Sequence, residues 1–298
     1  MNELAPFLEA AVRTATPLLI AAIGEAVSER AGAINIGLEG CIIAGAYAAY
    51  VLGATPVVGY AGALVAGACI GVLFVVFAVF LRRDQIIVGT ALTMLGLGLT
   101  GALFRARDTG LAALVETDPV IRVPFLSGIP VIGSALFAQP LVTYVAVALV
   151  PATWWVLYRT QLGLGLRATG ESPEAARAAG LHVRWVQAGA VIAGSTLGGL
   201  AGGALVLAQA GTFAEGMSAG RGFLAIAIVA LGRWRPLGVA AAAMVFGAAM
   251  ALQFVVQSLG WTIRYELVLM IPYALTLAAL GAFGKGSAPA MLGRTTEY

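Results

Sequence analysis

Long apolar stretches, each about the length of a membrane-spanning helix, recur along this chain from one end to the other. They cover residues 4–23, 34–53, 57–81, 85–104, 140–158, 188–208, 212–231, 237–258 and 265–283. A helix of about 20 apolar residues crosses a hydrocarbon core of about 30 Å. Charged residues make up only 10% of the 298 positions, against about 25% in an ordinary soluble domain. The sequence therefore predicts an all-α, polytopic membrane protein with about eight to nine transmembrane helices, some of them discontinuous.

Basic residues are concentrated in short loops between these segments, over residues 81–84, 159–187 and 232–236. If the segments alternate in direction, these loops share one side of the membrane with a tail that contains Lys285 and Arg294. The positive-inside rule makes that side cytoplasmic. The connector over residues 105–139 and the N-terminus are then predicted to lie outside. No soluble domain is evident, so we expect a single transmembrane domain over residues 1–298.

Glycine is abundant, with 39 residues, and many glycines stand four positions apart. Small residues at this spacing let the backbones of neighbouring helices approach closely within a membrane. The pairs are Gly67 with Gly71, Gly194 with Gly198, Gly198 with Gly202, and Gly199 with Gly203. The pattern predicts tight helix packing and carries no information about the activity.

A polar, glycine-rich stretch, SERAGAINIGLEG, lies at residues 28–40, where two apolar segments adjoin. Gly32 and Gly37 allow the backbone to break, and Asn35 and Glu39 can satisfy the amides and carbonyls that a break would free. Irregular backbone at membrane depth is tolerated only beside a cavity or within protein. We therefore expect a discontinuous helix beside the path of a transported solute. Glu39 either supports the break, which is favoured, or contacts the solute directly.

Polar residues near the predicted helix breaks are the candidates for lining such a path: Asn35, Glu39, Glu215, Arg221 and Gln253. An ionised side chain at mid-bilayer costs at least about 2.5–3.5 kcal/mol on insertion scales, so Glu39 should face protein or water. No row of inward charges suited to an ionic solute is evident, which favours neutral, hydroxyl-bearing solutes.

The loop sequence RATGESPEAARAAGLHV, at residues 167–183, encodes a short helix. Ser172 is a good N-cap, Pro173 suits the first helical position, Glu174 favours the positive end of the dipole, and Gly180 is a C-terminal stop. A helix over residues 173–179 would be only about 10 Å long, and helices this short are marginal in water. It must therefore dock, either on the chain's own surface or on a partner.

Residues suited to catalysis or metal binding are sparse in this chain. His182 is the single histidine, and Cys41 and Cys69 both lie inside apolar runs, where an inert buried thiol is the ordinary interpretation. We therefore predict no catalytic residues, no metal site and no enzymatic activity. The net charge of +3, with arginines placed between apolar runs, indicates contact with membrane lipid and not with nucleic acid.

Several segments together resemble one transporter family. The stretch ATGESPEAARAAGL is similar to the cytoplasmic coupling segment of ABC importer permeases of the simple-sugar and branched-chain amino-acid type. The stretches GEAVSERAGAINIGLEG, GTALTMLGLGLTGALF and SAGRGFLAIAIVALGRWRPLG resemble more narrowly the nucleoside-type permeases of that family. These segments keep the family's order and extend over residues 24–238, so the resemblance covers most of the chain and implies the ABC importer permease fold.

The resemblance implies partners and a location that composition does not. Family members lie in the prokaryotic plasma (inner) membrane as pairs of permease subunits, often two different paralogues, with an extracytoplasmic substrate-binding protein. ATP and Mg are expected in separate cytoplasmic ATPase subunits, and no cofactor is expected in this chain. Coupling to the ATPase is expected within residues 159–187, through the positions that match the family segment: Gly170, Glu171, Pro173, Glu174, Ala176, Arg177, Gly180 and Leu181.

The expected function is ATP-driven import of nucleosides or related nucleobase or sugar solutes, with this chain forming half of the translocation path. The alternative is a secondary transporter coupled to an ion gradient. That mechanism needs membrane carboxylates as coupling sites, for which Glu39 and Glu266 are the candidates. A membrane-embedded enzyme is disfavoured because no cluster of His, Cys or Asp residues is present.

Overall fold

Helices account for almost all the regular structure in a computed structural model, which describes residues 4–107, 115–124, 127, 129, 132–258, 270–283 and 288–293. The helices are α1 (Leu4–Arg30), α2 (Leu38–Leu52), α3 (Pro56–Phe74, continued by a π-helical end, Val75–Phe80), α4 (Gln85–Arg107), α5 (Ile132–Phe137), α6 (Leu141–Arg159), α7 (Gln161–Glu171), α8 (Pro173–Ala178), α9 (Val183–Ala204, continued by a π-helical end, Leu205–Ala210), α10 (Arg221–Leu231), α11 (Pro236–Ser258) and α12 (Ile271–Phe283). Two short strands, β1 (Val120–Arg122) and β2 (Ala138–Pro140), pair antiparallel with Val120 opposite Pro140.

Within the described residues, six helices are long and apolar enough to cross a membrane: α1, α3, α4, α6, α9 and α11. The helices α2 and α10 are also apolar but have only 15 and 11 residues, fewer than the roughly 17 that a full span requires. The predicted polytopic all-α fold with discontinuous helices is confirmed.

The helices α1 and α9 form the centre of the bundle. In the most apolar stretch of α1 and of α9, 67% and 72% of the residues are buried, against 33–39% in the corresponding stretch of the other long helices. The helix α9 packs against α1, α2 and α3, and α1 also packs against α11. The glycine spacing predicted this proximity correctly: Gly199 lies against the carbonyl of Ala63 on α3, and Gly202 lies against the carbonyl of Ile42 on α2.

The basic loops lie together at one end of the bundle, which we call the basic end. There the rings of Phe80 and Trp185 are 5.2 Å apart, and Arg30 Nε donates to the carbonyl of Trp234 at 3.0 Å. The first contact brings the loop at residues 81–84 next to the loop at 159–187. The loop at 232–236 adjoins the latter where Arg167 and Arg235 line one cavity, so the three loops lie together as the alternating topology predicts. Residues Lys285 and Arg294, from the predicted tail, lie outside the described residues.

The connector between α4 and α6 lies at the opposite end, which we call the connector end. Asp118 is buried there and accepts hydrogen bonds from the Tyr60 hydroxyl at 3.1 Å and the Val142 amide at 3.2 Å. The amide of Asp118 donates to the carbonyl of Leu207 at the last turn of α9. The predicted separation of this connector from the basic loops is therefore confirmed.

Some predicted segment boundaries are wrong. The first helix continues to Arg30 instead of ending at residue 23, and α2 begins at Leu38, not at residue 34. Residues 212–220 were predicted to be helical but are irregular, because Gly211, Gly216 and Gly220 adopt left-handed φ values of 67°, 67° and 77°. Apolar content alone could not distinguish this irregular segment from a helix. Residues 265–269 of the last predicted segment lie outside the described residues.

The short helix in the connector between α6 and α9 is confirmed as α8. The Ser172 hydroxyl accepts from the amide of Ala175 at 3.3 Å, Pro173 is the first helical residue, and Gly180 follows the helix with a φ of 85°. Local capping chemistry therefore defines this helix at both ends.

Candidate functional site

Two half-length helices begin near the middle of the bundle. The irregular segment at residues 31–37 leads from the basic end to the start of α2, and residues 211–220 lead from the connector end to the start of α10. The side chain of Asn35 contacts Ser195, and the side chain of Leu38 lies against Gly198. Both α9 residues stand near the midpoint of the span Val183–Ala210, so the helix breaks lie at mid-membrane depth.

Glu39 joins the N-termini of the two half-helices. It is the second residue of α2, is 3% exposed, and uses both carboxylate oxygens to accept backbone amides at the start of α10. Oε1 accepts from Gly220 at 2.8 Å and Oε2 accepts from Gly222 at 2.6 Å. A helix N-terminus carries a partial positive charge of roughly half a unit, so one carboxylate here compensates two helix ends.

Gly222 allows the two N-termini to approach this closely. A Cβ atom at this position would lie 2.5 Å from the Glu39 amide nitrogen and 2.6 Å from its Cα. Any larger residue would therefore separate Glu39 from the amides it binds. We call Glu39 together with the segment Gly220–Gly222 the helix junction.

Asn35 holds the irregular segment before α2. It is fully buried. Its backbone amide donates to Glu25 Oε1 at 2.8 Å, and its side-chain Nδ2 donates to Ser195 Oγ at 2.9 Å. The carbonyl of Asn35 accepts from the amide of Leu38 at 3.0 Å. Its side-chain oxygen is buried and meets no hydrogen-bond donor within the described part of the chain. Asn35 thus ties α1, α2 and α9 together at the break.

The prediction from sequence missed a buried acidic pair on α1. Glu25 and Glu29 are 0% and 1% exposed, and Glu29 accepts a hydrogen bond from the indole of Trp234 in the loop between α10 and α11. Because the predicted segment ended at residue 23, neither carboxyl group was considered as a buried residue of this helix. Their four-residue spacing places them on one helix face and was the available signal.

The other predicted path residues make different contacts. Glu215 forms an ion pair with Arg105 at 3.5 Å, and the side chains of Arg105 and Glu215 are 70% and 42% exposed. The Arg221 guanidinium donates to the carbonyls of Met217 and Ser218 at 2.8 and 3.2 Å, so it stabilises the turn that enters α10. Gln253 is half-buried on α11.

The residues assigned to ATPase coupling form one contiguous structure at the basic end. On α8, the side chains of Pro173 and Ala176 are buried, whereas those of Glu174 and Arg177 are exposed. One face of α8 therefore packs on the chain itself and the other is exposed.

The neighbouring residues anchor this segment. Gly170 leaves no room for a side chain, since a Cβ would lie 2.3 Å from the Arg30 carbonyl. Glu171 accepts from the amide of Ala290 at 3.4 Å. Beside α8, a cavity of about 450 Å³ is lined by Arg177, Leu181 and the exposed ring of Trp185, among others.

The carboxylates considered for ion coupling give no support to that mechanism. Both oxygens of Glu39 are engaged by backbone amides, so a coupling ion would have to displace two hydrogen bonds. Glu266 lies outside the described residues.

Comparison with known proteins places the chain among transporter permeases. The profile of the family described as "Branched-chain amino acid transport system / permease component" matches residues 7–280. A guanosine ABC transporter permease protein of Bacillus subtilis is 33% identical over 92% of this chain and 91% of its own length. A nucleoside ABC transporter permease protein of Lactococcus lactis is 35% identical with the same coverage. A putative glucose ABC transporter permease protein of Haloferax volcanii is 36% identical over 87% of this chain and 80% of its own length.

Proposed function

Because the chain belongs to the branched-chain amino acid transport system / permease component family, we propose that it imports nucleosides or related nucleobase or sugar solutes as the membrane subunit of an ATP-driven transporter. It is a multi-pass ABC transporter permease of the prokaryotic plasma (inner) membrane. The observation that carries the proposal is the helix junction, where two broken helices meet at mid-depth. Transporters place solute sites at such discontinuous helices, and rocking of helix bundles around them gives alternating access.

The electrostatics of the helix junction favour a neutral solute. In transporters that bind an anionic solute at broken helices, free helix N-termini face its carboxylate. Here the Glu39 carboxylate already accepts amides from the N-terminus of α10 while standing in the first turn of α2. Little positive potential remains for an amino-acid carboxylate, whereas a nucleoside or sugar requires none. The nucleoside and glucose names of the relatives agree with this choice.

The proposed transporter has partners that supply energy and selectivity. This chain forms half of the translocation path, and a second permease subunit, a different paralogue, forms the other half. ATPase subunits with bound ATP and Mg supply the energy, and an extracytoplasmic protein delivers the solute. The single transmembrane permease domain over residues 1–298 contains Asn35, Glu39, Glu215, Arg221 and Gln253 as candidate path residues.

Uptake by reconstituted vesicles tests the proposal. The chain, its partner permease, the ATPase and the binding protein should together accumulate labelled guanosine only when ATP is present, and unlabelled leucine should not compete. Omission of the ATPase serves as the control. Accumulation by this chain alone under an ion gradient, without ATP, would contradict the proposal in favour of an ion-coupled transporter.

The exposed face of α8 is the proposed contact with the ATPase. Its inner face, with Pro173 and Ala176, is buried against the rest of the chain. A push on the outer, charged face would therefore be transmitted to α7 and to the end of α1, which Gly170 contacts directly.

Reversing the charges of this face should uncouple the transporter. We expect the double variant Glu174→Arg with Arg177→Glu to reduce co-purification of the ATPase subunit by about tenfold, because interface charge pairs set orientation and rate of association. Arg122→Glu, an exposed charge reversal on β1 at the connector end, is the matched control and should leave ATPase binding unchanged. Equal ATPase binding by both variants would show that α8 packs only on its own subunit.

A further inference from the structure

A large cavity at the basic end is lined by cationic side chains from separate parts of the chain. It has a volume of about 760 Å³ and lies between the ends of α1, α6, α7, α10 and α11. Arg30, Arg167, Arg233 and Arg235 all line it, and the described lining residues include no Asp or Glu. We call it the arginine cavity.

A turn with an unusual backbone conformation positions two of these arginines, Arg233 and Arg235. Arg233 and Trp234 both adopt left-handed φ values, of 55° and 56°, which for residues other than glycine costs roughly 1–2 kcal/mol each. Trp234 is fixed at this position because its buried indole donates to Glu29 and its carbonyl accepts from Arg30. The exposed Arg233 and Arg235 flank this anchor, so the strained turn presents both at the mouth of the cavity.

The other two arginines are positioned by a single tyrosine. Arg30 donates to the Tyr158 hydroxyl at 3.4 Å, and the Arg167 guanidinium lies over the Tyr158 ring at 5.0 Å from its centroid. Both arginines are half-buried. The interior of the cavity is thus cationic and largely ordered before any ligand binds.

Apolar and aromatic side chains adjoin the cavity on its outer side. Trp154 and Leu237 line it and are 38% and 68% exposed, and the neighbouring Trp155 is 59% exposed. These residues stand in the last turns of α6 and the first turn of α11, where a span meets the membrane interface. Tryptophan is typical of that level, with its ring among the headgroups. A ligand in this cavity would therefore meet cationic groups at one end and lipid-facing surface at the other.

We propose that the arginine cavity binds the phosphate headgroup of an anionic phospholipid, with its acyl chains against Trp154 and Leu237. Guanidinium groups bind phosphate oxygens in pairs, and basic pockets between transmembrane helices are suited to anionic headgroups. Arginines that only set the orientation of the protein must lie on the cytoplasmic side of the membrane, but this role does not require them to line one cavity. The proposal requires membrane insertion alone and is independent of the transported solute.

The test compares lipid binding by charge-matched double variants of the purified, detergent-solubilised chain. Arg233→Gln with Arg235→Gln alters the cavity, and Arg82→Gln with Arg83→Gln alters the loop between α3 and α4. All four side chains are exposed at the basic end, and Arg82 is left-handed like Arg233, with a φ of 53°. Binding of phosphatidylglycerol and of phosphatidylcholine is counted by native mass spectrometry.

We expect the cavity variant to bind phosphatidylglycerol about 25-fold more weakly, since each arginine that pairs with the headgroup phosphate inside the cavity should contribute roughly a fivefold gain. The loop variant should bind phosphatidylglycerol within about threefold of the original chain. Phosphatidylcholine binding should be equal for the original chain and both double variants. If the cavity double variant does not fold, Arg167→Gln replaces it, with an expected loss of about fivefold.

Other outcomes would overturn the proposal. An equal loss of phosphatidylglycerol binding in both double variants would indicate general electrostatic attraction to the basic end and no specific site. Competition by inorganic phosphate as strong as that by the lipid would identify a free-phosphate site. Unchanged lipid binding together with lost binding of the ATPase subunit would make the cavity a protein-docking surface.

Discussion

Replacing Gly202 with alanine should strongly destabilise this protein. The new Cβ would lie 1.9 Å from the carbonyl oxygen of Ile42 and 2.7 Å from the amide nitrogen of Ala46. Both obstacles are backbone atoms of α2, so no side-chain rotation can relieve the clash. The helices α2 and α9 would have to separate, and overpacking of this kind costs about 1–3 kcal/mol or more.

Thermal unfolding of the purified protein measures this effect, and the same helix provides the control. Gly189 is also on α9, is exposed, and would place its Cβ in open space with no atom within 4 Å. Gly189→Ala should therefore be neutral or stabilising by up to about 1 kcal/mol, the helix-propensity gain of alanine over glycine. If both variants unfold at the same temperature, the close contact between α2 and α9 is not what stabilises the bundle.

Replacing Glu39 with glutamine should disrupt the helix junction while leaving side-chain volume almost unchanged. The glutamine oxygen can accept one of the two amides of Gly220 and Gly222, but its NH₂ group cannot accept the other. A buried amide then loses its partner, and two helix N-termini lose their compensating charge. We expect a loss of about 1.5–3 kcal/mol in the free energy of unfolding and a fall of about tenfold or more in the maximal uptake rate.

The kinetics of the Glu39→Gln variant decide between the two roles considered for this carboxylate. If Glu39 supports the break, the maximal rate and the unfolding temperature fall together and the KM for solute stays unchanged. A raised KM with an unchanged unfolding temperature would instead indicate direct contact with the solute.

Glu215→Gln is the matched control for Glu39→Gln, since it makes the same chemical change at an exposed carboxylate. The ion pair of Glu215 with Arg105 is largely solvated, and pairs of this kind contribute about 0–1 kcal/mol. We therefore expect almost no change in the unfolding temperature.

Local chemistry made several features predictable from sequence. The cap at Ser172, the proline at position 173 and the stop at Gly180 define α8 without help from the rest of the chain. The glycines near residues 32–40 and the polar residues Asn35 and Glu39 likewise indicated a break before any fold was known. The prediction was wrong for residues 212–220, which were taken as helical. The glycines at positions 211, 216 and 220 break the helix there, but glycine also occurs inside many helices of this chain, so its presence did not identify the break.

The sequence by itself determined that this chain crosses a membrane as helices, where its basic loops gather and where one helix breaks, because composition and capping act over a few residues. Only the tertiary structure decided which groups meet at the breaks. Glu39 binds the amides of Gly220 and Gly222, which are 181 and 183 positions away, and Glu29 binds Trp234, 205 positions away. Many residues could satisfy a buried carboxylate, and the choice among them is made by helix packing, which no local pattern records.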